Sequence, residues 1–179
     1  MINFKKTHNL VVVFLFTLFT STIVTANEAD NDVYANDWKS PATIIDAMYN
    51  IISAGPNEKR NWDRFRDLFF DNAEMLIAMQ SSQFSGIIAA DIEAIIAQTE
   101  SAYGKTGFYE FETAKKVVQY GNMANVYSSF EVKLKTTDEK PLMSGLNHFQ
   151  LLFDGDRWWI ISNTSIIDNK TYKGSQVLH

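Results

Sequence analysis

The sequence predicts an α+β fold, with helices first and an antiparallel meander after them. Three observations carry this. Apolar residues recur three and four apart between Ile44 and Thr99, the spacing that gives a helix one apolar face. From Gly107 onward the period shortens to two, and the composition turns to Phe, Tyr, Val, Ile and Trp. The links between these later segments include Gly121-Asn122 and Asp154-Gly155, and Asp-Gly is among the strongest hairpin signals. With 179 residues, 46% hydrophobic and 13% aromatic, the chain has the material for one folded domain.

Residues 1–26 stand apart. Lys5 and Lys6 precede the apolar run Leu10 to Phe19, and a more polar stretch ends in Val24-Thr25-Ala26. Small or aliphatic residues there suit signal peptidase, so this segment reads as a signal peptide cleaved after Ala26. The run falls short of the ~20 apolar residues that span a bilayer. No cysteine stands at the junction to carry a lipid. The expectation is an exported protein, periplasmic or extracellular, with no stable membrane anchor after cleavage. The whole chain carries −5; the signal holds two lysines and no acid, so the mature domain carries −7.

Residues 27–39 read as a flexible acidic lead-in, with Tyr34 and Trp38 candidates for docking on the body. The domain is expected over 40–167 and a C-terminal tail over 168–179. Ser40-Pro41 opens the first helix, since Ser is a good N-cap and Pro suits the first helical position. Ile44, Ile45, Met48, Ile51 and Ile52 form its apolar face, and Gly55-Pro56 marks its end. Asn61 caps a short second helix whose Trp62, Phe65 and Phe69 fall three to four apart. Asp71-Asn72 reads as a turn, and Glu74 to Met79 as a short strand. Asp91 to Tyr103 returns to helical spacing. Four strands follow over 108–120, 122–134, 145–153 and 157–165, with a polar loop from Thr136 to Pro141.

Composition excludes several chemistries. Without cysteine there is no disulfide, thiolate metal site, iron–sulfur cluster or cysteine nucleophile. An acidic balance argues against a nucleic-acid partner. Gly104-Lys105-Thr106 mimics the end of a phosphate loop, but it follows a helix and Thr99 stands where that motif needs glycine. Asn163-Thr164-Ser165 and Asn169-Lys170-Thr171 match the glycosylation sequon, the first within a predicted strand. Neither a metal nor any other cofactor is expected.

The stretches Asn61 to Met79 (NWDRFRDLFFDNAEMLIAM), Gly121 to Val132 (GNMANVYSSFEV) and Gly145 to Ile161 (GLNHFQLLFDGDRWWII) resemble the nuclear-transport-factor-2-like superfamily. They are similar to a branch of small members with an N-W-D-R-F-R-like helix and a D-G-x-R-W-W-I-like last strand. The resemblance spans Pro41 to Ser165. It implies a cone, with helices packed on a curved antiparallel sheet around an internal pocket. Members of that branch commonly carry an aromatic residue beyond the W-W-I-like run, where this chain has the polar Asn163-Thr164-Ser165. The superfamily includes ketosteroid isomerase, scytalone dehydratase, limonene epoxide hydrolase and polyketide cyclases, so fold alone does not select a chemistry.

An enzyme in such a pocket needs a base and a donor for developing negative charge. His148 is the one candidate histidine in the body of the mature chain. It reads either as a general base titrating near neutrality or as a half-buried histidine satisfied by a hydrogen bond. Glu110 and Glu112 point to one side of their strand. Facing the pocket, they would serve acid–base work; facing out, they would pair with Lys115, Lys133 or Lys135. The charged surroundings favour the outer side. Tyr49, Trp62, Tyr127 and Trp158 are candidate ligand contacts or core aromatics, and Asn147 a candidate orienting group. Both faces of the last two strands carry apolar residues, so a homodimer through the outer sheet face is expected. The leading functional expectation is a domain that binds a small apolar or amphipathic ligand. The alternative is a cofactor-independent isomerase, dehydratase or cyclase.

Overall fold

The computed structural model describes residues 34–80, 84–171 and 173–178. The expected signal peptide lies outside them. Helix α1 (Pro41–Ile52) starts as its sequence demands: Ser40 Oγ accepts the Thr43 N–H at 3.1 Å, and Thr43 Oγ1 accepts the Ser40 N–H at 3.1 Å. It ends at Ile52 rather than at Gly55-Pro56, because Ala54 leaves to exchange backbone bonds with Phe108 at 2.8 and 2.9 Å. Asn61 caps the five-residue α2 (Trp62–Arg66), accepting the Arg64 N–H at 3.0 Å. Asp91 caps α3 (Ile92–Tyr103), accepting the Ala94 N–H at 2.8 Å.

The strands are β1 (Phe69–Gln80), β2 (Ser85–Ala90), β3 (Tyr109–Tyr120), β4 (Met123–Lys133), β5 (Met143–Phe153) and β6 (Trp158–Ile167). They form one curved, unclosed sheet in the order β2-β1-β6-β5-β4-β3. Two features depart from the sequence expectation. The strand expected over 74–79 is twice that long, and β2 was not anticipated because SGIIAA lacks both alternation and aromatics. The expected turn at Asp71-Asn72 is instead an irregularity inside β1, with Asn72 at φ 63°. All neighbours pair antiparallel except β1 and β6, the first strand and the last, which run parallel.

The D-G-D-R-W-W segment is a clamp. Asp154 Oδ1 accepts the Asp156 and Arg157 N–H groups at 2.8 and 2.9 Å, and Oδ2 accepts Trp159 Nε1 at 2.6 Å. These bonds hold its carboxyl down at about 2. Gly155 takes φ 113°, which the tight turn requires. The Arg157 guanidinium lies over the rings of Trp38 (3.8 Å) and Trp159 (3.9 Å) and bonds Asp67 at the end of α2. The Trp158 N–H donates to Trp38 O at 3.0 Å. Arg64 lies over Tyr34 at 4.4 Å. The lead-in aromatics thus dock as expected.

One end of the concave face is filled. Phe65, Leu68, Phe149, Leu151 and Ile160 are fully buried there, with Trp158 and Phe69 against them. Phe65 and Phe69 rings lie 5.0 Å apart. Among the described residues no helix is long and apolar enough to cross a membrane.

Candidate functional site

The other end of the concave face is open. A cavity of about 200 Å³ lies between the helices and the sheet. Met48 and Ile52 of α1, Ile95 and Tyr103 of α3, and Met75 and Met79 of β1 form part of its wall. Met143, Phe130 and Ile167 close the sheet side. Four of the chain's six methionines line it, and unbranched thioether side chains fit varied apolar shapes. Its polar end consists of Glu110, Asn147, Asn163 and Ser165.

Two bulges aim these groups. Along β6 the ladder slips after Ile160, so that Gln150 pairs with Ser162 while Leu151 pairs with Ile160. Strict alternation would place Ser162 and Thr164 beside Trp158 and Ile160. The extra residue, Ile161, reverses the parity and turns Asn163 and Ser165 inward instead. Asn163 and Ser165 are 3% and 7% exposed. The burial of Asn163 inside a strand also removes the first sequon from the surface. In β3 the slip at Thr113 puts Lys115 on the same side as Glu112.

These side chains form one connected network. Glu112 accepts at both oxygens: from Ser128 Oγ at 2.6 Å, and from Lys115 Nζ at 3.1 Å. Lys115 also meets Asp46 at 2.5 Å. The single Ser128 proton is thereby committed, so the Tyr49 hydroxyl, 2.7 Å away, donates to Ser128. Tyr49 in turn accepts from Asn147 Nδ2 at 3.0 Å. That nitrogen also donates to Glu110 Oε1 at 3.3 Å, and Asn147 Oδ1 takes the Ser165 proton at 2.5 Å. Ser165 therefore accepts from Asn163 Nδ2 at 3.2 Å, which leaves Asn163 Oδ1 buried without a protein partner. The direction of every bond follows from Glu112.

The electrostatics follow. Burial drives the Tyr49 hydroxyl well above the ordinary phenol range, reinforced by the nearby Glu110 carboxylate. Burial also raises Glu110 to about 7, only partly opposed by the bond from Asn147. Among the described residues no Lys, Arg or His pairs with Glu110, and none lines the cavity.

The structure divides the sequence candidates. Asn147 lines the cavity and Tyr49 stands directly behind it. His148 neighbours Asn147 on β5 and so faces the opposite side of the sheet. It stacks on Tyr127 at 4.5 Å and meets Asn125 Oδ1 at 2.9 Å, with burial lowering its pKa. His148 and Tyr127 are thus remote from the cavity, joined as a cross-strand pair. Trp158 packs in the filled end against Phe153. Trp62 bonds Glu100 at 2.9 Å outside the cavity. The expectation that Glu110 faces outward is corrected, because it lines the cavity; Glu112 does pair with Lys115, but on the inner side. Asn163 and Ser165 escaped the sequence reading because a bulge leaves no mark in residue type.

No family model matches the chain, and no curated protein matches it in sequence. Solved structures do match in shape. A nuclear-transport-factor-2-like protein with a cystatin-like fold from Novosphingobium aromaticivorans superposes with a TM-score of 0.57 at 12% identity, covering 84% of this chain and 90% of that one. A protein of unknown function with a cystatin-like fold from Nostoc punctiforme gives 0.54 at 11% identity, covering 79% and 94%. A nuclear-transport-factor-2-like protein of unknown function from Silicibacter pomeroyi gives 0.52 at 15%, covering 78% and 99%. Helices over the concave side of a six-stranded sheet, an open cavity at one end and these likenesses together give the chain the nuclear-transport-factor-2-like, cystatin-like fold.

Proposed function

We propose that the protein is an exported binding module that holds a small amphipathic ligand in its cavity. The observation that carries this reading is the cavity's division into a methionine-rich apolar wall and a compact polar end at Glu110 and Asn163. An engineered apolar cavity of ~150 Å³ takes up benzene, so this one suits a body of about one ring plus a polar head. Native mass spectrometry of protein purified undenatured from its own source tests the reading. The expected result is a mass increment removed by organic extraction; protein that carries none and takes up no small aromatic probe would overturn it. The same spectra check export, since cleavage after Ala26 gives a chain beginning at Asn27.

Two copies pair through the outer sheet face in this reading. Tyr120, Met123 and Leu152 are exposed there and stand side by side across β3, β4 and β5, with Val118 nearby. A monomer mass at micromolar concentration would refute the pairing.

One observation favours a second reading, proton-transfer catalysis. Glu110 is a carboxyl poised near neutrality in an apolar cavity, which suits a general base better than His148 does. The donors beside Glu110 are already engaged, because the protons of Tyr49 and Asn147 go to other groups. Binding therefore ranks ahead of catalysis.

A further inference from the structure

The wiring of the network determines which head group the cavity takes. Both Asn147 Nδ2 protons are used, one on Tyr49 and one on Glu110. The Ser165 proton is used on Asn147. Once Glu110 is ionised, above about pH 7, what the polar end still offers is acceptors: the second Glu110 oxygen, and Asn163 Oδ1, which belongs to a residue 97% buried and has no protein partner. The orientation of the Asn163 amide is not arbitrary. It is fixed through Ser165, Asn147, Tyr49 and Ser128 by Glu112, a carboxylate that can only accept. A buried acceptor left unpaired is costly, and so is a part-buried carboxylate without a counter-ion. A ligand that donates hydrogen bonds removes the first cost, and one that carries positive charge also removes the second.

Anionic heads meet the opposite situation. A carboxylate or enolate would face Glu110 and Asn163 Oδ1 with no cation in the lining. The Thr99 and Tyr103 hydroxyls and the Gln98 amide also reach the cavity, but each can both donate and accept, so they do not select between heads.

We propose that the cavity is a receptor for a protonated amine on a compact apolar body, with the ammonium group seated between the Glu110 carboxylate and the Asn163 carbonyl. This rests on the cavity being a binding site, and it names the chemical class of what binds.

The test is isothermal titration calorimetry at pH 8 with four probes sharing one body: ethylbenzene, 2-phenylethanol, phenylacetate and 2-phenylethylamine. The expected order is amine first, alcohol second and phenylacetate weakest, with at least about tenfold between amine and phenylacetate. Glu110→Gln should abolish the amine's advantage over the alcohol while ethylbenzene still binds, which shows that the cavity has survived. Asn163→Ala, which leaves Glu110 in place, should weaken the amine several-fold. Equal binding of amine and alcohol, or tighter phenylacetate, overturns the amine assignment and leaves the binding module standing. Failure of all four probes, ethylbenzene included, overturns both.

Discussion

The two ends of the concave face are built from the same three strands and hold opposite contents. β4 sends Val126 to the filled end and Ser128 to the open one. β5 sends Phe149 and Leu151 to the first and Asn147 to the second; β6 divides Ile160 from Asn163 and Ser165. At the filled end each buried square ångström of apolar surface stabilises by about 25 cal/mol. At the open end every buried polar group must find a partner merely to offset its lost hydration. A sequence shaped by stability alone would repeat Phe149 at position 147. That it holds a wired amide there instead points to the open end as the working end.

The contrast can be broken at either end, and the expected effects differ in size and in pH dependence. The largest belongs to the filled end. Phe149→Ala should cost about 3–5 kcal/mol in urea denaturation, since Phe149 has no solvent exposure and sits in the core cluster. Under about 1 kcal/mol would mean that this end is loosely packed.

Glu110→Gln should act in the opposite direction. The Glu110 carboxyl holds its proton more tightly folded, at about 7, than at the unfolded value of 4.5. Its contribution is therefore fully present below about 4.5 and is lost as pH rises through 7. The loss at pH 8 amounts to about 3 kcal/mol. Around it, Tyr49 stays neutral across this window. The variant should match the parent near pH 4.5 and exceed it by about that amount at pH 8. Equal stability at both pH values would show that Glu110 is well solvated.

Asn147→Ala should cost about 2–3 kcal/mol, because the Tyr49 oxygen, the Ser165 hydroxyl and Glu110 each lose a partner. Thermal denaturation at pH 7 measures it; a neutral result would mean that water replaces the amide. The smallest effect lies outside both ends. Ser40→Ala removes the α1 cap for about 1 kcal/mol and should leave probe binding unchanged. A change in binding would mean that α1 moves with its cap.

The same division governs what was legible in the sequence. The caps at Ser40, Asn61 and Asp91 announce their helices because the side chain that accepts the first free N–H is local. The last four strands follow from alternation and from Asp154-Gly155. The D-G-D-R-W-W segment pointed to the fold, and it acts as a clamp on α2 and Trp38, so its residues speak for architecture rather than chemistry. The open end was not legible in this way. Glu110 lies among charges that suggest a wet surface, and only tertiary packing shows that it faces the cavity. Asn163 and Ser165 depend on a parity change at Ile161 that no residue preference signals. His148 attracted attention as a lone histidine, yet its position next to Asn147 on one strand already excludes it from the face that Asn147 serves.

The bulge at Ile161 also bears on how such a protein diverges. If Ile161 were drawn into the ladder instead of bulging, strict alternation would return. Asn163 and Ser165 would then exchange sides with residues now facing outward, while Trp158 and Ile160 kept their places. Loss of one bulge could thus rewrite what the cavity recognises and leave the filled end, and with it the ability to fold, nearly untouched. Chains of this shape can present different residues to the cavity by the placing of one bulge, a change that tallies of matching residues do not register.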